Sequence, residues 1–138
     1  MREKSCGTIP YTVEDGVIKY LLIRPRLGRS CGFPKGHVEA GETERETALR
    51  ETLEETSVKV EIESDFRYVT SYPLVNGGYK TVVYFLASFK DQKPERNGDF
   101  EDYVYLLLPY EESMKTLTFK SAREMLKEAN ALLTHSSP

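Results

Sequence analysis

A chain of 138 residues, 39% hydrophobic and 30% charged, has the size and balance of an ordinary globular protein with one real core. Its net charge of −3 gives no sign of a nucleic-acid binder, and no apolar run approaches the ~20 residues of a membrane span. The start, Met1-Arg2-Glu3-Lys4, lacks the apolar stretch of a secretion signal, and the two cysteines, Cys6 and Cys31, suit neither a disulfide framework nor a zinc site; a cytoplasmic protein with reduced thiols and no membrane partner is expected.

In chain order, Gly7–Tyr11 and Val17–Ile23 read as strands, rich in β-branched and aromatic residues and joined by an Asp15-Gly16 turn. Arg24 to Gly32 is a basic loop with glycine and proline. A helix follows Glu42: Thr43 and Glu46 have the spacing of a capping box, Ala48, Leu49, Thr52, Leu53 and Thr56 form an inward face, and the helix should run to about Ser57. Val58–Glu63, Phe66–Tyr72, Lys80–Phe89 and Tyr103–Leu108 read as further strands. Ser121 and Glu124 form a second box opening a last helix through Leu133, with Met125, Leu126, Ala129, Leu132 and Leu133 buried. Strands on both sides of one helix, with another at the end, predict an α+β arrangement: a mixed sheet between helices.

Seven glutamates fall between Glu39 and Glu55. Glu51, Glu54 and Glu55 share a helix face at i, i+3 and i+4, where like charges repel by a few tenths of a kcal/mol per pair. They also lie in the last turns, where the helix dipole is negative and disfavours acids. A hard divalent cation reverses that sign, because magnesium takes carboxylate oxygens together with substrate phosphates. Read alone, three acids on a helix face more often mark a solvated surface, with Arg45 and Arg50 near enough to pair. The preceding Phe33-Pro34-Lys35-Gly36-His37-Val38-Glu39-Ala40-Gly41-Glu42 is a glycine-punctuated approach that lets backbone come close to a ligand.

Gly36, Glu42, Arg50-Glu51, Glu54-Glu55 and Val58 together resemble the Nudix box, the pattern G-x5-E-x7-R-E-U-x-E-E-x-G-U in which U is bulky and apolar. Thr52 departs at an apolar position, and Ser57 replaces the glycine that would suit a left-handed cap. The resemblance implies an α/β/α sandwich over residues 1–138 and a metal-dependent hydrolase of diphosphate linkages using Mg2+ or Mn2+. It implies Glu51, Glu54 and Glu55 as metal ligands, with the Lys35 carbonyl and one later acid, Asp99 ahead of its rivals Glu101 and Asp102. Glu51 is the leading candidate for the base, and Arg50, helped by Glu42, would orient the carboxylates.

The Pro-Lys-Gly-His wording, Thr8–Ile23, Lys80–Ala87 and the Leu117-Thr118-Phe119 ending are similar to the dinucleoside tetraphosphate hydrolase branch of that family. That likeness implies cleavage of diadenosine tetraphosphate to ATP and AMP; a monomer is expected. Arg24, Lys35, Gly36, His37 and Lys80 would meet the phosphates, with Arg26 and Arg29 as further cations, and Tyr84 and Tyr103 would meet a base. Cys31 and Tyr105 stand where tryptophans are common in the branch. Diphosphoinositol polyphosphates, oxidised nucleotides and capped RNA remain alternative substrates, and a module that senses a nucleotide without cutting it is the alternative of another class.

Overall fold

The computed structural model describes residues 2–95 and 102–135, which form six strands and three helices. Strands β1 (Arg2–Glu14) and β2 (Val17–Pro25) make the expected hairpin, and Asp15 and Gly16 turn it with φ of 52° and 79°. The short β3 (Lys35–His37) lies antiparallel on β1 at Ser5–Gly7. Next come α1 (Glu44–Thr56), β4 (Glu61–Pro73), β5 (Tyr79–Ser88), β6 (Tyr103–Pro109), α2 (Tyr110–Thr116) and α3 (Lys120–Thr134). The sheet order is β4-β5-β1-β2-β6, with β1 and β5 parallel and the other pairs antiparallel. β1 pairs with β2 only from Tyr11 to Glu14, and β3 occupies the same edge further back.

The helices lie on both faces, as the sequence implies. Side chains of β5 alternate between them: Val83 and Phe85 join Cys6 and Ala48 under α1, while Val82, Tyr84 and Leu86 join Ile9, Tyr20, Leu22, Met125 and Leu126 under α3. Among the described residues no helix is long and apolar enough to cross a membrane.

Several local expectations need correction. The two strands read at Val58–Glu63 and Phe66–Tyr72 are one strand, β4, whose register on β5 shifts between Ile62 and Arg67; the polar Ser64-Asp65 break is absorbed as an irregularity and pairing resumes. Helix α2 is missing from the sequence reading, although Glu111, Glu112 and Lys115 complement its dipole. Helix α3 starts at Lys120, so Ser121 lies inside it and no box forms; Arg123 instead reaches back to the Leu117 and Thr118 carbonyls at 2.8 and 3.2 Å. Leu132 is 46% exposed rather than buried.

The inner face of α1 also differs. Leu49 and Leu53 point outward, and Thr47, Ala48, Thr52 and Thr56 are buried. The helix lies so close to β1 that only small side chains fit: the Thr52 and Thr8 hydroxyls are 2.7 Å apart. Thr52 gives its proton to the Ala48 carbonyl at 2.8 Å, so Thr8 donates to Thr52. Threonine at this box position therefore serves through its hydroxyl. Thr52→Val should orphan Thr8 and cost about 1–3 kcal/mol, whereas Thr8→Val with Thr52→Val should recover most of that loss in urea unfolding, since neither hydroxyl is then stranded. A double variant as weak as the single one would refute the pairing.

Candidate functional site

Helix α1 starts as expected. The Thr43 hydroxyl accepts the Glu46 N–H at 3.1 Å and the Glu46 carboxylate accepts the Thr43 N–H at 2.8 Å. It ends on Ser57 in the left-handed region, φ 62° and ψ 14°, with the Ser57 N–H on the Leu53 carbonyl. The serine thus takes the conformation a glycine would take there, at a Cβ penalty of about 1 kcal/mol, and the last turn keeps its course.

That helix presents Arg50, Glu51, Glu54 and Glu55 toward β3. Arg50 is the hub. Its Nε donates to Glu42 at 2.7 Å, one terminal nitrogen reaches Glu51 at 3.0 Å and Glu54 at 3.2 Å, and the other meets the His37 carbonyl at 3.0 Å. These bonds hold the guanidinium charged well beyond its ordinary range. The same bond from Arg50, then those from Thr47 and the Glu39 backbone, pull Glu42 down to about 2.

Gly36 is what lets Glu51 sit here. A Cβ built on Gly36 would lie 1.9 Å from the Glu51 carboxyl carbon and 2.2 Å from each of its oxygens, so the carboxylate rests directly on the β3 backbone. Glu55 stands beside it and takes the Lys35 N–H at 3.4 Å. Burial, and after it the neighbouring Glu51, push Glu55 up to about 8. Two crowded carboxyls, one of them unable to ionise cheaply, form an all-oxygen donor set whose chemistry fits a hard cation. Among the described residues no three such side chains are gathered at ligand spacing; Arg50 holds Glu51 and Glu54 instead.

Residues paired across a sheet share a face, and this places the cationic groups. Gly7 lies between Lys35 and Tyr84, Ser5 between His37 and Val82, and Glu3 beside Lys80. Lys35, His37, Lys80 and Tyr84 therefore share one face, where burial, then Lys80, lowers the Lys35 pKa. Tyr84 is only 8% exposed, edge-on to Phe33 in the core beneath α3, so its ring lies among apolar neighbours. Tyr103 opposes Pro25 on the other face of the sheet from Tyr84, the face shared with Tyr105. Arg24 is occupied with the Pro25, Arg26 and Gly28 carbonyls, which shape its own loop, and Arg26 pairs with Asp102. Asp99 and Glu101 lie outside the described residues.

Two neighbours of the site escaped the sequence reading. Glu3 meets His37 at 3.4 Å, a contact that only the β1–β3 register reveals. The Tyr105 hydroxyl reaches the Glu55 carbonyl at 2.8 Å across fifty positions of sequence, and no local pattern announces it.

Comparison with known proteins follows the same outline. The family model described as NUDIX domain matches residues 4–129. The asymmetrical bis(5'-nucleosyl)-tetraphosphatase of Mus musculus is 34% identical over 96% of this chain and 97% of its own length. A crystal structure of a C. elegans Ap4A hydrolase binary complex superposes with a TM-score of 0.84 at 25% identity, covering 96% of this chain and 98% of that one. The NUDIX domain of Shewanella oneidensis NrtR, solved with ADP ribose, shares the fold at a TM-score of 0.76 and 19% identity, over 96% of this chain and 89% of that one.

Proposed function

This chain belongs to the NUDIX domain family of hydrolases, and from that membership we propose that it hydrolyses diadenosine tetraphosphate to ATP and AMP with a divalent cation. The observation that carries the reading is the carboxylate set on α1: Glu51 seated on Gly36, Glu55 crowded beside it and Arg50 bridging Glu51 and Glu54. The likeness to tetraphosphatases over nearly the whole chain supports the substrate.

In this reading Glu51, Glu54, Glu55 and the Lys35 carbonyl hold the cation, with Asp99 as the further acid. Bound there, Mg2+ or Mn2+ supplies charge neutralisation on phosphate oxygens and makes water more acidic. Glu51 accepts the proton of the attacking water. The water oxygen bonds to phosphorus, the bridging P–O bond breaks, and the leaving phosphate departs with that oxygen. Lys35, His37 and Lys80 meet the phosphate chain from the other side of β3. Arg50 keeps its carboxylates aimed and takes no proton.

The direct test is incubation with diadenosine tetraphosphate and magnesium, separating products by anion exchange. ATP and AMP are expected, with turnover lost by a factor of about 100 or more in Glu54→Gln. An intact tetraphosphate would sink the substrate assignment, and full activity in Glu54→Gln would sink the site.

A second test uses stability. The folded-state value of Glu55, about 8, lies above its ordinary 4.5, so the ionised form is the less stable one. Stability of the metal-free protein from this group is present below 4.5 and is lost as pH rises through about 8. Cation binding needs the deprotonated carboxylate. Millimolar Mg2+ should therefore raise the melting temperature more at about pH 8.5 than at about pH 6. An equal gain at both, or the same gain in Glu55→Gln, would speak against Glu55 as a ligand.

A further inference from the structure

The last carbonyls of any helix have no partner within it. In α1 the Leu53 carbonyl takes the Ser57 N–H at 2.8 Å, the Thr56 carbonyl takes the Glu95 N–H at 2.9 Å, and the Glu55 carbonyl takes the phenolic proton of Tyr105 at 2.8 Å. The Glu95 carbonyl lies 3.1 Å from the same hydroxyl. Tyr105 thus links three pieces of chain: its own strand β6, the last turn of α1 and the segment at Glu95. Its ring is anchored in the small core of Leu21, Val58, Val60, Ala87 and Phe89, on the sheet face that α1 covers.

We propose that Tyr105 is a positioning residue for the cation-binding turn. The inference rests on the reading of Glu51, Glu54 and Glu55 as the cation site. Acids crowded at i, i+3 and i+4 in the last turn repel one another and face the negative end of the dipole. Such a turn tends to open, and opening would carry Glu54 and Glu55 apart. Arg50 opposes this from the Glu42 side through Glu51 and Glu54. The Arg50 bonds run to Glu42, Glu51, Glu54 and the His37 carbonyl, and the backbone at Glu55 takes a separate hold. A donor on the Glu55 carbonyl supplies it: the bond offsets part of the dipole's negative end and fixes the backbone from which the carboxylate reaches the Lys35 N–H. Because Tyr105 touches the carbonyl and not the carboxylate, it acts on where Glu55 points and not on what Glu55 binds.

The experiment is Mn2+ binding to the purified chain without substrate, by calorimetry and by the loss of the free-ion electron paramagnetic resonance signal. Wild type, Tyr105→Phe, Glu55→Gln and Leu107→Ala are compared, each with its melting temperature. Tyr105→Phe removes only the hydroxyl. It should weaken Mn2+ about tenfold, in the range seen for groups behind metal ligands, and tetraphosphate turnover should recover at saturating metal with KM unchanged. Leu107→Ala loosens the same small core without touching α1 carbonyls; it should lower the melting temperature and leave Mn2+ affinity as it was. Wild-type Mn2+ affinity in Tyr105→Phe, or an equal loss in Leu107→Ala, would overturn the inference while leaving the site intact. Failure of the wild type to bind Mn2+, or of Glu55→Gln to weaken it, would overturn the site and this inference with it.

Discussion

Gly36→Ala should leave a folded protein with turnover sharply reduced. The new methyl would fall within 2.2 Å of the Glu51 carboxylate, and the obstructing atoms are the far end of a flexible side chain. The glutamate can swing away, so the melting temperature should stay close to wild type. Turnover should fall on the order of a hundredfold, the usual consequence of moving a reacting group by about 1 Å. Gly7→Ala is the informative contrast. Its Cβ would lie 2.1 Å from the Pro34 carbonyl oxygen, which is backbone and cannot turn aside. That variant should lose about 1–3 kcal/mol of stability or more, because β1 and β3 can no longer approach. Thermal melts and initial rates on the two variants separate the cases. Wild-type turnover in Gly36→Ala would mean that Glu51 is not needed where it lies.

Arg50→Gln should be the most damaging single change to stability at the site, and its damage should depend on pH. The guanidinium holds Glu42, Glu51 and Glu54 and the His37 carbonyl at once, so a neutral amide leaves several acids facing one another. In the wild type, Glu42 is held near 2 against an ordinary 4.5, principally by Arg50. A carboxylate depressed in this way contributes stability that is present above 4.5 and is lost as pH falls through about 2. The melting temperature of Arg50→Gln should therefore lie several degrees below wild type near neutrality. The gap should narrow as pH drops below 4.5 and the acids take up protons. The opposite effect of Glu55, between 4.5 and 8 in the wild type, is read from each protein alone with and without metal. A gap that stays constant down to pH 3 would show that Arg50 matters through packing and not through its charge.

Helix α1 was legible along the chain because its signals are local. The Thr43–Glu46 box, the spacing of Glu51, Glu54 and Glu55 and the placement of Gly36 before them all lie within one short stretch, and the fold keeps each of them. The alternation that marks strands was equally local, and the hairpin at Asp15-Gly16 followed from it. Local signals misled where a neighbour overrode them. Leu49 and Leu53 have the period of an inward face, yet β1 comes too near to admit them. Ser121 has the spacing of a cap, yet Arg123 organises that helix start by binding the carbonyls before it.

What no local pattern carries is which distant groups meet. Side-chain period places a residue on one of two faces of its own strand, but the register with the next strand assigns that face to a neighbour. Only the pairing of Gly7 with both Lys35 and Tyr84, and of Glu3 with Lys80, brings the basic groups to one side and leaves Tyr103 on the other. The hydroxyl of Tyr105 on the Glu55 carbonyl and that of Thr8 on Thr52 join strands to a helix across long stretches of chain. Spacing along one short stretch, together with its likeness to the Nudix box, therefore singled out the acids and the glycine that admits them, because the helix is a short-range structure. The clamp on the helix end and the two sides of the site came from packing, because a sheet is assembled from segments that know nothing of one another until they pair.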